Sequence, residues 1–144
     1  MSQFKQLTEK FWASPQIDVA DVETAKAEGF THIICNRPDS EAPDQPSAAE
    51  IGAAARQLGM GFSEVPVSSA GFSLPQVDAM QDALAKGGDK VLGYCRSGTR
   101  STLLWAMVQA KAGADLDDIE QKASAAGYST SAIRPTMEML AKGG

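Results

Sequence analysis

The feature that most constrains this fold is the alternation of short apolar runs with longer segments of helical periodicity. "THIICN" (31–36), "FSEVPV" (62–67) and "KVLGYC" (90–95) have the apolar, partly β-branched character of buried strands. The helical segments each end at a glycine, which can adopt the left-handed conformation that closes a helix. These glycines are Gly29, Gly59, Gly87, Gly113 and Gly127. Strand alternating with helix predicts an α/β fold of three layers, with a mostly parallel sheet flanked by helices.

The two ends of the chain depart from this alternation. Near the N-terminus, "FKQLT" and "KFWAS" are separated by too little chain for a crossover, so we expect an antiparallel or edge element. After the third strand run, the sequence is helical throughout. "STLLWAMVQAKAG" is apolar on most sides and is expected to be central, whereas "DLDDIEQKASAAG" and "SAIRPTMEMLAKGG" are amphipathic and peripheral.

Length, charge and composition exclude several classes of protein. With 144 residues, 43% of them hydrophobic, we expect a single domain over residues 1–144. A net charge of −5 without a long basic run argues against nucleic acid or a membrane as partner. The absence of a long apolar segment or a signal-peptide pattern favours a cytoplasmic protein. Because Cys35, Cys95 and His32 are the only cysteines and histidine, we expect no metal and no cofactor, and thiol chemistry remains as the role for cysteine.

The stretch "YCRSGTRS" (94–101) lies between the third strand run and the next helix. Cys95 is expected to end the strand and Ser101 to begin the helix, so the residues between them must turn in a tight arc. Backbone N–H groups in such an arc, together with the positive end of a helix, form a nest that binds an anion. Gly98 permits the backbone conformation and the close approach that this requires.

Side chains of the same stretch fit an oxyanion and a reactive sulfur. Arg100 offers a planar fork of donors for two oxygens of a tetrahedral anion, and Arg96 adds a second positive charge. This field favours the thiolate form of Cys95, and a hydroxyl of Ser101 or Thr102 can donate a hydrogen bond to it. The expected catalytic residues are Cys95, Arg100 and Ser101. The expected anion-binding residues are Arg96, Ser97, Gly98 and Thr99.

A structural interpretation of these residues also exists. A cysteine that ends an apolar strand is often a small buried hydrophobe, and loop arginines are often solvated. The combination of strand, cysteine, two arginines, glycine, hydroxyl residues and helix within eight residues favours the functional interpretation.

The motif "CRSGTRS" resembles the active-site loops of cysteine-dependent phosphatases and of rhodanese-type sulfurtransferases. Nearly the full chain, including "FWASPQI", "NRPDSE" and "VLGYCRSGTRS", is similar to a bacterial family described as the phosphatase-like domain of β-lactamase-hydrolase-like proteins. The resemblance implies a cysteine-phosphatase-like α/β fold. Members of this family are labelled as phosphatases or as sulfur transferases.

Two departures from the tyrosine-phosphatase pattern keep the activity open. Four residues separate Cys95 from Arg100, where tyrosine phosphatases have five, and this loop length matches rhodaneses. The loop after "EVPV", residues 68–73, has no carboxylate to act as the general acid that protonates a leaving group. Asp39, Glu41 and Asp44 are substitutes, although each is also a plausible solvated loop residue.

Two further residues follow the first strand run. Arg37 could reach an anion in the Cys95 loop if the strands are neighbours, as the resemblance implies; a surface ion pair is the alternative. Cys35 could form a resolving disulfide with Cys95 on oxidation, although a buried hydrophobe is favoured.

The leading hypothesis is a cysteine-dependent phosphatase that acts through a thiophosphate intermediate on a small anionic substrate. The alternative is a rhodanese-like sulfurtransferase that carries a persulfide on Cys95 and takes it from a sulfane-sulfur donor. A third hypothesis is a non-catalytic anion-binding module. The fold does not decide among them, and the sequence leaves the oligomeric state open.

Overall fold

The central element of the computed structural model, which describes residues 3–68 and 71–143, is a five-stranded sheet. Its strands are β1 (Lys5–Gln6), β2 (Phe11–Ser14), β3 (His32–Cys35), β4 (Gly61–Glu64) and β5 (Val91–Tyr94). They lie in the order β1-β2-β5-β3-β4; β1 runs antiparallel to β2, and the other neighbours are parallel. The predicted mostly parallel sheet is therefore confirmed, and the antiparallel N-terminal element lies at its edge.

Six α-helices are present in the described part of the chain. They are α1 (Val19–Ala27), α2 (Ala48–Gln57), α3 (Leu74–Lys86), α4 (Thr99–Lys111), α5 (Leu116–Ala125) and α6 (Arg134–Ala141). The final segment, predicted as one helix, instead begins with a 3-10 turn at Ser131–Ile133, and Pro135 lies in the first turn of α6. Proline lacks an N–H and so favours a new helix start there. None of the described helices combines the length and hydropathy needed to span a membrane.

Glycines end the helices as predicted at four of the five positions. Gly29, Gly59, Gly113 and Gly127 have positive φ angles between 79° and 98°. The prediction for Gly87 is wrong by one residue: Gly87 keeps a φ of −75°, and the left-handed residue is Gly88, with a φ of 79°.

Helices cover both faces of the sheet, which gives the three predicted layers. Ile33 and Leu92 point toward α1 and α2. Their neighbours along the strands, Ile34 in β3 and Val91 in β5, point toward α3 to α6. Helix α4 is central as predicted, with nine of its thirteen residues buried, including Trp105. Each fully buried large apolar side chain contributes about 1.5–3 kcal/mol to folding, so this face anchors the loop that precedes α4.

The carboxyl ends of four parallel strands meet at one edge of the sheet, because β2, β5, β3 and β4 run in the same direction. Backbone hydrogen bonds extend past the strands there. The Cys95 N–H donates to the Ser14 carbonyl (3.3 Å), the Asn36 N–H to the Tyr94 carbonyl (2.8 Å), and the Val67 N–H to the Asn36 carbonyl (3.0 Å). Loops that follow these strands therefore converge on one region, as is typical of ligand sites in α/β proteins.

Candidate active site

Cys95 is the first residue after the central strand β5 and has no exposed surface. Side chains alternate along a strand, so Cys95 points to the face of α4, the side opposite Tyr94. Its sulfur accepts a hydrogen bond from the backbone N–H of Gly98 (3.1 Å). A donor aimed at sulfur stabilises a thiolate more than a thiol, which is the electrostatic arrangement that the sequence predicts here.

The loop after Cys95 closes into a tight turn at Gly98, whose φ of 93° is left-handed. The Gly98 carbonyl accepts from both the Thr102 N–H (3.0 Å) and the Thr102 hydroxyl (2.9 Å), which fastens the turn to the first turn of α4. Ser97 and Thr99 are joined through their hydroxyls (2.9 Å), and Arg96 is exposed. The expected anion-binding residues thus lie together on one short loop at a helix N-terminus.

Helix α4 begins earlier than predicted. Thr99 rather than Ser101 is its first residue, because the left-handed Gly98 already completes the turn. Arg100 therefore lies in the first helical turn instead of in the loop. Ser101 is fully buried in that turn, and its hydroxyl has no hydrogen-bond partner among the described residues. The Thr102 hydroxyl donates to the Gly98 carbonyl rather than to sulfur. Of the two hydroxyls predicted to donate to the Cys95 sulfur, only that of Ser101 therefore has no other acceptor among the described residues.

Arg100 uses one edge of its guanidinium for contacts within the protein. Nη1 donates to Glu41 Oε2 (2.8 Å) and to the Val67 carbonyl (2.6 Å), and Nη2 donates to Glu41 Oε1 (2.8 Å). A guanidinium has five N–H donors, so Nε and the second N–H of Nη2 form a fork that Glu41 and Val67 do not use. Arg100 also interacts with the Cys95 side chain. Glu41 above all, with a smaller contribution from Cys95, raises the pKa of Arg100, which keeps this fork charged.

Arg37 is brought into the same cluster through Glu41. Its Nε donates to Glu41 Oε1 (2.9 Å), its Nη1 donates to Gln16 Oε1 (2.9 Å), and its side chain is only 5% exposed. Of the alternative, a surface ion pair, the ion pair is present with Glu41, but the Arg37 side chain is buried. Glu41 therefore lies between two arginines: Arg37, which follows β3, and Arg100, which lies in the first turn of α4 after β5.

The three acidic candidates on the loop after β3 are in different situations. The hydrogen bond from Arg100, with further contributions from Arg37, lowers the pKa of Glu41 to about 2, so this group is a carboxylate near neutral pH. Asp39 accepts a hydrogen bond from the Ala48 N–H (2.8 Å) at the start of α2. Asp44 is exposed. Glu41 is therefore unsuited to donate a proton in this arrangement, and Asp39 is already engaged at a helix terminus.

Of the loop from Ser68 to Ser73, in which the sequence shows no carboxylate, Ser69 and Ala70 lie outside the described residues. Among the residues that the structure describes, no group of three or more histidine, cysteine or acidic side chains is arranged to hold a metal ion.

Cys35 lies at the end of β3 but on the other face of the sheet. It pairs in register with Tyr94 and packs with it in the cluster beneath α1 and α2. Its thiol donates to the Arg37 carbonyl (3.2 Å), and burial raises its pKa. Both cysteines are free. A disulfide with Cys95 would require one side chain to leave its face of the sheet, so the buried-hydrophobe interpretation describes Cys35 in this structure.

Sequence reasoning missed three contributions to this region. Gln16, on the loop after β2, bonds Arg37, and its backbone N–H donates to the Arg96 carbonyl (3.2 Å). The sequence suggests Glu41 as an acid, whereas the structure shows it as the partner of Arg37 and Arg100. The Tyr128 hydroxyl donates to the Ser97 carbonyl (3.1 Å). No local pattern marks Gln16 or Tyr128, because both act through contacts distant in sequence.

Comparison with known proteins identifies relatives over most of the chain. The family model described as "Beta-lactamase hydrolase-like protein, phosphatase-like domain" matches residues 3–112. A beta-lactamase hydrolase-like protein of Agrobacterium fabrum is 31% identical over 116 residues, which cover 78% of this chain and 27% of that protein. The chain thus spans about a quarter of the length of this curated relative.

Solved structures extend the similarity to the whole fold. A Neisseria meningitidis protein described as a "putative phosphatase" has a TM-score of 0.85 and 34% identity, covering 97% of this chain and 99% of that one. The active form of Tk-PTP has a TM-score of 0.71 at 17% identity, covering 97% of both chains, and so shares the cysteine-phosphatase-like fold. None of these descriptions names sulfur transfer.

Proposed function

Because the chain belongs to the family described as "Beta-lactamase hydrolase-like protein, phosphatase-like domain", we propose that it is a cysteine-dependent phosphatase of small anionic phosphate esters. The family and the fold give a phosphatase-like function. The observation that carries the finer proposal is the hydrogen bond from the Gly98 N–H to the Cys95 sulfur (3.1 Å). Arg100, in the first turn of α4, also interacts with Cys95. We also propose that residues 1–144 act as one domain.

In the first chemical step, the Cys95 thiolate attacks phosphorus. A sulfur–phosphorus bond forms while the bond from phosphorus to the ester oxygen breaks, which leaves a thiophosphate ester and an alkoxide or phenoxide. The equatorial oxygens are stabilised by the Nε and Nη2 donors of Arg100 and by backbone N–H groups of residues 96–100. The N–H groups of Gly98 and Thr99 are excepted, because they donate to the Cys95 sulfur and to the Ser97 hydroxyl. Glu41 does not take up these donors of Arg100, because it binds the other edge of the guanidinium.

In the second step, water attacks the thiophosphate phosphorus, the sulfur–phosphorus bond breaks, and inorganic phosphate and the thiolate are released. Ser101 supports this step in our proposal, because its buried hydroxyl is unpaired and can donate to the departing sulfur. Of the three acid candidates, Asp39 is bound at the start of α2, Glu41 is a carboxylate and Asp44 is exposed. We therefore expect esters with good leaving groups to react best, since these need little protonation.

The four-residue spacing between Cys95 and Arg100 favours a second candidate, sulfur transfer. In that reaction, the Cys95 thiolate attacks the outer sulfur of thiosulfate, the sulfur–sulfur bond breaks, and sulfite leaves with the electron pair. The product is a persulfide on Cys95, which then passes its outer sulfur to a thiol or to cyanide.

Intact-mass spectrometry separates the candidates. The protein is incubated with an aryl phosphate and, separately, with thiosulfate, and the quenched samples are compared with those of Cys95→Ser and Cys35→Ser. Phosphatase activity predicts release of phosphate and a phosphoryl adduct that Cys95→Ser lacks and Cys35→Ser retains.

Other outcomes would overturn the proposal. A persulfide without hydrolysis of aryl phosphate would identify sulfur transfer. Neither adduct, combined with protection of Cys95 from alkylation by phosphate or sulfate, would identify an anion-binding module. An adduct that survives in Cys95→Ser would exclude the cysteine mechanism altogether.

A further inference from the structure

Tyr128 is held in place by the end of α5. Gly127 has a φ of 98°, and its N–H donates to the Ser124 carbonyl (2.9 Å), while the Tyr128 N–H donates to the Ala123 carbonyl (2.9 Å). These bonds are typical of a helix that closes through a left-handed glycine. Tyr128 packs, half-buried, against the core on the α4 side of the sheet. Its ring is therefore fixed by backbone geometry and by packing.

The Tyr128 hydroxyl contacts the outer side of the Cys95 loop. It donates to the Ser97 carbonyl (3.1 Å), and the next atom of the same peptide unit, the Gly98 nitrogen, donates to the Cys95 sulfur (3.1 Å). In a trans peptide, the C=O and the N–H point in opposite directions. A hydrogen bond that holds the carbonyl outward consequently holds the N–H inward, on the sulfur.

Gly98 shows how closely Tyr128 approaches this peptide. A Cβ added to Gly98 would overlap the Tyr128 hydroxyl, in addition to straining the left-handed backbone. Burial above all, with a contribution from Cys95, raises the pKa of Tyr128, so its hydroxyl stays protonated and able to donate near neutral pH.

We propose that Tyr128 is a positioning residue of the active site, whose hydroxyl orients the Ser97–Gly98 peptide and thereby the donor to the Cys95 sulfur. This rests on the proposed function in taking Cys95 as the nucleophile. Tyr128 lies beyond residues 3–112, the part of the chain that the family model matches. The C-terminal helices thus contribute to the site as well as to the core.

The test measures alkylation of Cys95 by iodoacetamide in Tyr128→Phe, with peptide mapping, as a function of pH. Loss of a neutral hydrogen bond corresponds to about a fivefold change in equilibrium. We expect alkylation near pH 7 to be about fivefold slower than in the wild type and its pH profile to move to higher pH. Tyr94→Phe is the matched control, because its ring lies on the opposite face of the sheet; its rate and profile should equal those of the wild type.

The outcomes distinguish this proposal from the phosphatase proposal, since alkylation requires no turnover. Identical rates and pH profiles for Tyr128→Phe and the wild type would overturn the role of Tyr128, even if the protein hydrolyses aryl phosphates. Normal alkylation of Cys95 without hydrolysis would overturn only the phosphatase. If Cys95 of the wild type does not react, a crystal structure of Tyr128→Phe decides: a reoriented Ser97–Gly98 peptide supports the role of Tyr128, and an unchanged peptide refutes it.

Discussion

Cys35 and Cys95 end neighbouring parallel strands, and both are buried, yet their surroundings are opposite in polarity. The Cys95 sulfur accepts a hydrogen bond from a backbone N–H, whereas the Cys35 thiol donates one to a backbone carbonyl. A donor aimed at sulfur favours the thiolate, and an acceptor favours the thiol. Burial is therefore common to both cysteines, and the direction of the hydrogen bond with the backbone is what separates Cys95, the proposed nucleophile, from Cys35.

The largest expected difference between the two cysteines is in activity. Cys95→Ser should reduce aryl phosphate hydrolysis to background, because a serine hydroxyl is a far weaker nucleophile at neutral pH. Cys35→Ser should retain the wild-type rate, since its side chain lies beneath α1 and α2. Phosphate release measures both. Equal losses in the two variants would refute the contrast.

A second prediction concerns the turn that aims the N–H at Cys95. Gly98→Ala should reduce hydrolysis about 10²-fold, because the added Cβ would overlap the Tyr128 hydroxyl and move the Gly98 N–H off the Cys95 sulfur. This is the scale on which one aligned active-site donor contributes. Gly29→Ala is the matched control on the side of Cys35. Its φ of 92° is nearly the 93° of Gly98, and an added Cβ would have no atom within 4 Å.

Gly29→Ala should lose about 1–2 kcal/mol of stability, the usual cost of a left-handed conformation in a residue with a side chain. Gly98→Ala should lose more, because its Cβ would also overlap the Tyr128 hydroxyl. Only Gly98→Ala should lose activity. Urea unfolding and phosphate release separate the two effects, and a comparable loss of activity in Gly29→Ala would show that strain alone is responsible.

A third prediction concerns the support of Arg100. Glu41→Gln should lower kcat/KM for aryl phosphate about tenfold, because bonds to charged partners contribute about 1.5–3 kcal/mol and the guanidinium would lose its alignment. Glu64→Gln, opposite Cys35 in register, removes an equivalent charge beside the other cysteine and should leave kcat/KM unchanged. An increase in kcat/KM for Glu41→Gln would instead identify Glu41 as a competitor of the substrate.

The smallest effect is on the pH dependence of stability. The folded protein lowers the pKa of Glu41 from 4.5 to about 2, so the stabilisation is fully present above about pH 4.5 and is lost as the pH falls toward 2. The difference in Tm between the wild type and Glu41→Gln should therefore shrink over this range. Thermal melts between pH 7 and pH 3 measure it, and a constant difference would contradict the assignment.

Local sequence signals predicted most of the fold. The helix ends at Gly29 and Gly127 follow from glycine conformations, and the mostly parallel sheet follows from the alternation of elements. Both are short-range properties of the sequence. The errors are equally local. The left-handed residue after α3 is Gly88 instead of Gly87, because either of two adjacent glycines can adopt that conformation. Helix α4 begins at Thr99 instead of Ser101, because the left-handed Gly98 completes the turn early.

The candidate site was predictable only in part. Cys95, Gly98 and Arg100 lie within six residues, so their proximity follows from the sequence itself. The partnership of Arg100 with Glu41 joins residues 59 positions apart, and that of Tyr128 with Ser97 joins residues 31 apart. Contacts of this kind depend on how strands and helices pack and leave no mark in a local pattern.

The sequence by itself determined that this is an α/β protein with a tight, glycine-containing turn after a buried cysteine, because periodicity, glycine and a short motif act over a few residues. The tertiary structure decided which edge of Arg100 binds Glu41, on which face of the sheet Cys35 lies and which side chain contacts the Cys95 loop from outside. These depend on strand register and on the packing of α5 against the core, where residues distant in the chain meet.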